Sequence, residues 1–100
     1  MRSPRLSPHT LGVLEELLAS PAKWRYGYDL MKATRIAAGT MYPILIRLDG
    51  LGWLESKWVP PVEEGRPPRR QYRLTAAGKL GARDMQTRAR LAGSPARSRA

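Results

Sequence analysis

The sequence predicts one small, mainly helical domain with a two-stranded β-ribbon, in the order α-α-α-β-β-α. Two segments in the first half of the chain repeat apolar residues at steps of three and four, as amphipathic helices do. Residues 53–59 and 70–74 instead alternate between apolar and polar side chains, as half-buried strands do. A chain of 100 residues, 42% of them hydrophobic, can bury one core but not two.

Two helices are expected in the first third of the chain. Ser7 and Pro8 suit the start of the first helix. Pro21 cannot continue it, so it should end at about Ser20. The apolar stripe of this helix consists of Leu11, Leu14, Leu17 and Leu18. The second helix is expected over residues 27–34, which contain good helix formers and precede a basic residue suited to a helix C-terminus.

A third helix is expected from Ala38 to about Leu51. Its apolar stripe is formed by Met41, Ile44, Leu45 and Leu48. Pro43 lies inside this span without an amide proton to donate, so we expect an irregular first turn. Gly50 and Gly52 should then end the helix.

The ribbon follows the third helix directly. In its first strand, Leu54 and Trp58 are expected to share the inner face. In its second strand, Tyr72 and Leu74 are expected to share that face. The loop between the strands, residues 60–68, is rich in proline, which predicts a stiff, exposed loop rather than a tight turn.

A last helix is expected over residues 76–91, with Thr75 as its N-cap. Its apolar positions are sparse, and Gly78 and Gly81 should weaken it further. Residues 93–100 consist of Gly, Ser, Pro, Ala and Arg, a composition that predicts a disordered basic tail.

The large aromatic side chains allow two interpretations. Trp24, Trp53 and Trp58 could stack on nucleotides, but a chain without phenylalanine needs them to fill its core and interfaces, which we favour. Tyr28 and Tyr72 are assigned to the core for the same reason.

Charge indicates the class of partner. Eighteen Lys and Arg residues stand against eight Asp and Glu residues, which gives a net charge of +10. A net charge of this size makes the chain repel itself, which indicates a polyanionic partner. Nucleic acid and an anionic membrane surface are the two main candidates. Residues 65–83 contain six cations and no acid, which predicts a continuous positive strip for phosphates. The six are Arg66, Arg69, Arg70, Arg73, Lys79 and Arg83. A charged face that meets only solvent is the alternative.

Several classes of protein are disfavoured. The chain has no cysteine, and His9 is its one histidine, so zinc ribbons, iron–sulfur sites, thiol nucleophiles and Ser-His-Asp relays lack their parts. We therefore expect no enzyme, no metal and no other cofactor. No apolar run approaches the roughly 20 residues that a bilayer needs, which predicts a soluble, cytoplasmic protein without membrane contact. The basic residues are mostly arginine on the ribbon, unlike a lysine-rich membrane-surface helix.

Three helices, a ribbon with a projecting loop and one more helix is the order expected of a winged helix-turn-helix. Local signatures sharpen this prediction. They are Tyr26-Gly27-Tyr28-Asp29-Leu30, Gly39-Thr40-Met41-Tyr42-Pro43, Arg47-Leu48 followed by Gly52-Trp53-Leu54, Gly65-Arg66-Pro67, and Tyr72-Arg73-Leu74-Thr75 with Gly78. In these motifs, their order and their spacing, residues 11–78 closely resemble the PadR family of bacterial transcriptional regulators.

The resemblance implies that the third helix is a recognition helix in the major groove of double-stranded DNA and that residues 60–69 form the wing. It implies DNA contacts by Thr40, Tyr42 and Arg47 on the helix and by Arg66 and Arg70 in the wing. Local charge adds Arg69 and Arg73 to these candidates. The alternatives are a local cap for the threonine, a packed ring for the tyrosine, and a phosphate or solvent contact for the helical arginine.

Function follows from the resemblance as an expectation. The protein should bind a palindromic operator as a homodimer and repress transcription; a protein- or RNA-interaction module without operator specificity is the alternative. Candidate dimer contacts are Leu80, Met85 and Leu91 of the last helix.

The chain departs from the family pattern in its last helix. Family members commonly carry a tryptophan in this helix, and in some members that tryptophan lines a ligand pocket. Residues 83–91 contain no tryptophan, which disfavours a small-molecule effector. This chain has Ala37 where family members often have a serine that caps the recognition helix, and it has Arg35 where they often have a small residue.

The expected division of the chain has four parts. Residues 1–7 should form a flexible basic arm and residues 8–76 the winged helix-turn-helix DNA-binding domain. Residues 77–92 should form a C-terminal dimerisation helix, and residues 93–100 the disordered tail.

Overall fold

The computed structural model describes residues 7–92, which form four helices and a three-stranded antiparallel sheet. The elements in chain order are α1 (Pro8–Ala19), β1 (Arg25–Tyr26), α2 (Gly27–Thr34), α3 (Ala38–Gly50), β2 (Leu54–Val59), β3 (Arg69–Leu74) and α4 (Ala76–Leu91). Every element expected from the sequence is present, with ends that differ by at most one residue. Apart from Ser7, the expected N-terminal arm and the C-terminal tail lie outside the described residues.

Local sequence signals set the ends of the helices. The Ser7 hydroxyl accepts a hydrogen bond from the Thr10 amide at 3.1 Å, and the Thr75 hydroxyl accepts one from the Gly78 amide at 3.0 Å. Arg35 ends α2 in the left-handed conformation, with a φ of 62°. Ala37 precedes α3 without a side-chain cap, as expected.

The recognition helix expected from the sequence is continuous through its proline. Pro43 lies inside α3, and the first turn is tightened because the amides of Thr40 and Met41 both donate to the carbonyl of Ala37, at 3.0 and 2.8 Å. The four residues of the expected apolar stripe are all buried. The opposite side of α3 is therefore left for solvent or a partner.

The sheet has a strand that the sequence did not predict. β1 pairs with β3 on the side away from β2, so the strand order is β1-β3-β2. Arg25 of β1 lies opposite Tyr72, and its guanidinium contacts the Glu16 carboxylate of α1 at 2.8 Å. Only 12% of the Arg25 side chain is exposed, so this ion pair joins the sheet edge firmly to α1. Two residues are too few to show a strand period in a sequence.

The core lies between the helices and one face of the sheet. α1 contributes Leu11, Val13, Leu14 and Leu17, and the ribbon contributes Trp53, Leu54, Tyr72 and Leu74. The prediction that Tyr72 and Leu74 share the inner face of β3 is confirmed, since both are buried. Burial raises the pKa of the Tyr72 hydroxyl above its ordinary value, and the neighbouring Arg70 charge opposes this effect.

Small residues let α4 lie close to the ribbon. The buried side of α4 consists of Gly78, Ala82, Met85 and Ala89. A Cβ atom on Gly78 would clash with the Trp53 carbonyl, and one on Gly81 would clash with the Trp53 ring. The two glycines expected only to weaken the helix therefore make room for a tryptophan that is 1% exposed.

Candidate nucleic-acid interface

One side of α3 is exposed to solvent over the whole length of the helix. It consists of Gly39, Thr40, Tyr42, Pro43, Ile46, Arg47 and Gly50. Arg47 is exposed and forms no salt bridge with any residue of the described range 7–92. The Thr40 side chain is also exposed, and Ala37 rather than Thr40 occupies the N-cap. Both side chains are thus available to a ligand of the helix.

Tyr42 lies at the edge of this side of α3 and is partly held by the fold. Its ring packs against the first residue of α2, where a Cβ atom on Gly27 would lie 2.8 Å from the phenolic oxygen. The side chain is nevertheless 39% exposed. Both interpretations of this tyrosine therefore hold in part. One side of the ring is packed, and part of the side chain is exposed.

The cations of the ribbon lie on two faces, not on one strip. β-Strand alternation places Arg70 on the inner face with Ser56 and Tyr72. It places Arg69 and Arg73 on the outer face. The prediction of a single continuous strip along residues 65–83 is wrong, because neighbours along a strand point to opposite sides of the sheet.

Carboxylates from other segments also reach three of these six cations. Arg66 contacts Glu63 at 3.3 Å, Arg70 contacts Asp49 at 3.5 Å, and Arg73 contacts Glu55 at 3.0 Å. Within the described residues, Arg69, Lys79 and Arg83 have no carboxylate in salt-bridge range. An acid-free stretch of sequence therefore does not make an acid-free surface.

Arg70 connects the ribbon to α3. Its guanidinium donates to the Ser56 hydroxyl at 2.8 and 3.1 Å, and it reaches the Asp49 carboxylate in the last turn of α3. Its planar group also lies 5.3 Å from the centre of the Trp58 ring. Arg70 therefore holds a fixed position between the ribbon and α3.

On the outer face, cations stack on aromatic rings. Arg73 and Lys57 lie over the Trp24 ring at 4.3 and 4.4 Å from its centre. Arg69 lies 3.8 Å from the centre of the Tyr26 ring and keeps its charge without a carboxylate partner in the described part of the chain. Of the outer-face arginines, Arg69 has the charge that is freer for phosphate.

The tip of the wing is fully open to solvent. Residues 60–69 are all exposed, and Gly65 supplies a turn with a φ of 86°. The side chains of Arg66 and Glu63 are each 72% exposed. An ion pair at such exposure contributes little, so a phosphate can replace the carboxylate at small cost.

Two aromatic residues assigned to the core lie at the surface. Trp58 is 62% exposed and Tyr28 is 56% exposed. Trp58 does share the face of the buried Leu54, but it lies four residues further along the ribbon, where the helices no longer cover the sheet. The assignments of Trp53 and Tyr72 to the core are confirmed, while Trp24 is half-buried.

Sequence reasoning missed Ile46, which is 70% exposed on α3. It lies with Tyr28, Tyr42 and Trp58 along a cleft between α3 and the ribbon, to which Arg70 also contributes. The available signal was its position outside the apolar stripe of an otherwise regular helix.

The candidate dimer residues of α4 divide into two groups. Leu80 is 71% exposed and Leu91 is 81% exposed. Met85 is only 4% exposed, because it lies on the buried side of α4 with Ala82 and Ala89. Leu80 and Leu91 are three helical turns apart and share one outer face, whereas Met85 belongs to the core of the chain itself.

This combination of helix-turn-helix, three-stranded sheet and projecting wing is the fold of winged-helix transcription regulators. The model of the transcriptional regulator PadR-like family matches residues 16–84, and the chain belongs to that family. Among curated proteins, none is a significant match.

Solved structures agree with this assignment. A PadR-like transcription factor from Bacteroides fragilis is similar with a TM-score of 0.65 and 25% identity over 92% of this chain and 91% of that one. A PadR family transcription regulator from Clostridium difficile has a TM-score of 0.65 and 24% identity over 84% and 91% of the two chains. A PadR-like regulator from Bacillus cereus has a TM-score of 0.66 and 18% identity over 90% and 88%. The last two structures have a lower sequence identity to this chain, so they support its fold alone.

Within residues 7–92, no helix is both long enough and apolar enough to cross a membrane.

Proposed function

We propose that the protein is a sequence-specific double-stranded-DNA-binding regulator that represses transcription as a homodimer on a palindromic operator. The observation that carries this proposal is the exposed side of α3, which is connected through Arg70 to an exposed basic wing. On that side, Arg47 has no salt bridge to another residue of the range 7–92. In this arrangement α3 enters the major groove, and the wing follows the phosphate backbone beside it. Family membership supports the same assignment.

The proposed contacts fall into two groups. Thr40, Tyr42 and Arg47 lie on a helix that can present side chains to base edges, and a long guanidinium suits the two acceptors of guanine. Arg66, Arg69, Arg70 and Arg73 lie on the wing and ribbon, and they are assigned to phosphates. Because Arg73 is paired with Glu55 and stacked on Trp24, its contribution should be the smallest of these four.

Replacing Arg47 by alanine should cost about 1–3 kcal/mol of binding free energy on the operator and less on random duplex, because a base contact is lost. Titration of each variant against both duplexes at fixed salt measures this difference. Lys23→Ala is the control, since it removes a positive charge from an exposed position between α1 and β1, outside α3, the wing and α4. Equal weakening on both duplexes would make Arg47 a phosphate contact instead.

Dimerisation is assigned to the outer face of α4. Replacing Leu80 and Leu91 by aspartate should shift the protein from dimer to monomer in sedimentation at micromolar concentration, because charge would be buried against a partner. The exposure of both leucines means that the fold itself should keep its thermal stability. Wild-type protein that sediments only as a monomer, with and without DNA, would contradict the assignment.

Repression needs only occupancy of a promoter, so no further domain is required for it. The experiment that tests the function is selection of bound duplexes from a library of genomic fragments with the purified protein. Recovery of one palindromic sequence is expected. Recovery of unrelated duplexes with equal efficiency would favour the alternative, a winged-helix module for a protein or RNA partner.

A further inference from the structure

The middle of the exposed side of α3 is apolar, and charge and hydroxyl groups lie at its edges. With about 100° per residue, Pro43 and Ile46 each point about 150° away from the middle of the buried stripe. Thr40 and Arg47 flank them on one side, and Tyr42 on the other, each about 90–110° from that stripe. The part of the helix that projects furthest from the core therefore carries no charge.

Ile46 dominates this apolar centre. It is 70% exposed, and the core of the described chain is filled by residues on the other side of the helix. An isolated surface isoleucine needs no explanation, but this one lies next to Arg47 on the helix that the proposed function places in a DNA groove. Its surroundings in the complex would be base edges rather than water.

The major groove offers one apolar group to such a side chain, the C5 methyl group of thymine. We propose that Ile46 contacts a thymine methyl group and thereby helps to specify the operator, beside the base contact assigned to Arg47. This inference rests on the proposed function, since it requires α3 to lie in the major groove. It adds a second base-selecting residue of a different chemistry.

The ends of the same face allow the helix to approach closely. A Cβ atom on Gly39 or on Gly50 would meet nothing within 4 Å, so the fold itself does not require glycine at either position. Without side chains there, Ile46 is not shielded from a groove floor by bulkier neighbours in line with it. The shape of the face is therefore compatible with contact between the isoleucine and a base.

The test removes only the methyl group. In the selected operator, each thymine of a half-site is replaced in turn by uracil, and the affinity of wild-type protein is measured at fixed salt. At one position we expect the affinity to fall by about fourfold per substituted half-site, which corresponds to the free energy of burying one methyl group. Ile46→Ala should bind the thymine and uracil duplexes equally, and Ile46→Val should retain most of the discrimination.

Unchanged thermal unfolding of Ile46→Ala, expected for an exposed residue, shows that any binding change is local. The inference is overturned if uracil is tolerated at every position, or if Ile46→Ala keeps the same discrimination as the wild type. A wild-type protein that binds operator and scrambled duplex equally would fail the proposed function itself. That arm contains no uracil, so the two failures are distinguishable.

Discussion

Raising the salt concentration from about 50 to 200 mM should weaken binding to duplex DNA by about 10³- to 10⁵-fold, the range for about 6 to 10 neutralised phosphates. A dimer supplies these contacts from both chains, each with Arg66, Arg69, Arg70 and Arg73 on the wing and ribbon. Logarithmic affinity plotted against logarithmic salt concentration should therefore have a slope of about −5 to −9.

Single variants locate the source of this slope. Arg69→Ala removes one phosphate contact from each chain of the dimer, so it should reduce the magnitude of the slope by about two. This arginine has no carboxylate partner among the described residues. Arg73→Ala is the matched comparison on the same face and should change the slope less, because Glu55 already pairs with it at 3.0 Å. A wild-type slope near zero would indicate a protein partner rather than DNA.

Replacing Gly81 by alanine should lower the free energy of unfolding by about 3 kcal/mol, at the upper end of the usual cost of overpacking a core. The added Cβ atom would clash with the ring of Trp53, which is only 1% exposed. The clash outweighs the gain of about 0.5–1 kcal/mol that alanine brings to a helix in place of glycine.

Urea unfolding measures this loss, with Gly12→Ala as the control. Gly12 also lies inside a helix, but a Cβ atom there would meet nothing within 4 Å, so the control should be stabilised slightly. If both variants gained stability, the close packing of α4 on Trp53 would be contradicted.

The sequence was sufficient for the helices because their signals are local. Ser7 and Thr75 cap α1 and α4 as expected, and the stripe on α3 is buried as its spacing predicted. Fold class and family follow from such signals together with the motifs. β1 could not be found in the same way, since two residues of strand form only through their pairing with β3.

Other errors come from tertiary structure. The spacing of Trp58 correctly placed it on the face of Leu54, but spacing does not say where the covering helices end. Helix propensity counted Gly81 as a weakness, while the packed structure uses it to admit Trp53. The cations of the ribbon looked unpaired in the sequence, because the carboxylates that pair with two of them, Asp49 and Glu55, belong to earlier segments of the chain.

The candidate site could be predicted only in part from the sequence. Arg47 was assigned from the family resemblance, and its exposure agrees with that assignment. Ile46 was missed because an isoleucine next to the buried Leu45 looks like core in a sequence, although its position outside the apolar stripe agrees with the exposure that the structure shows.

The central claim is that this chain selects one DNA sequence over others. The most direct test is the ratio of the dissociation constants of wild-type protein for its selected operator and for a scrambled duplex of the same length and composition, at one salt concentration. A ratio of about 10³ or more in favour of the operator is expected for a specific regulator. A ratio near one would contradict the claim, however tightly the basic surface held both duplexes.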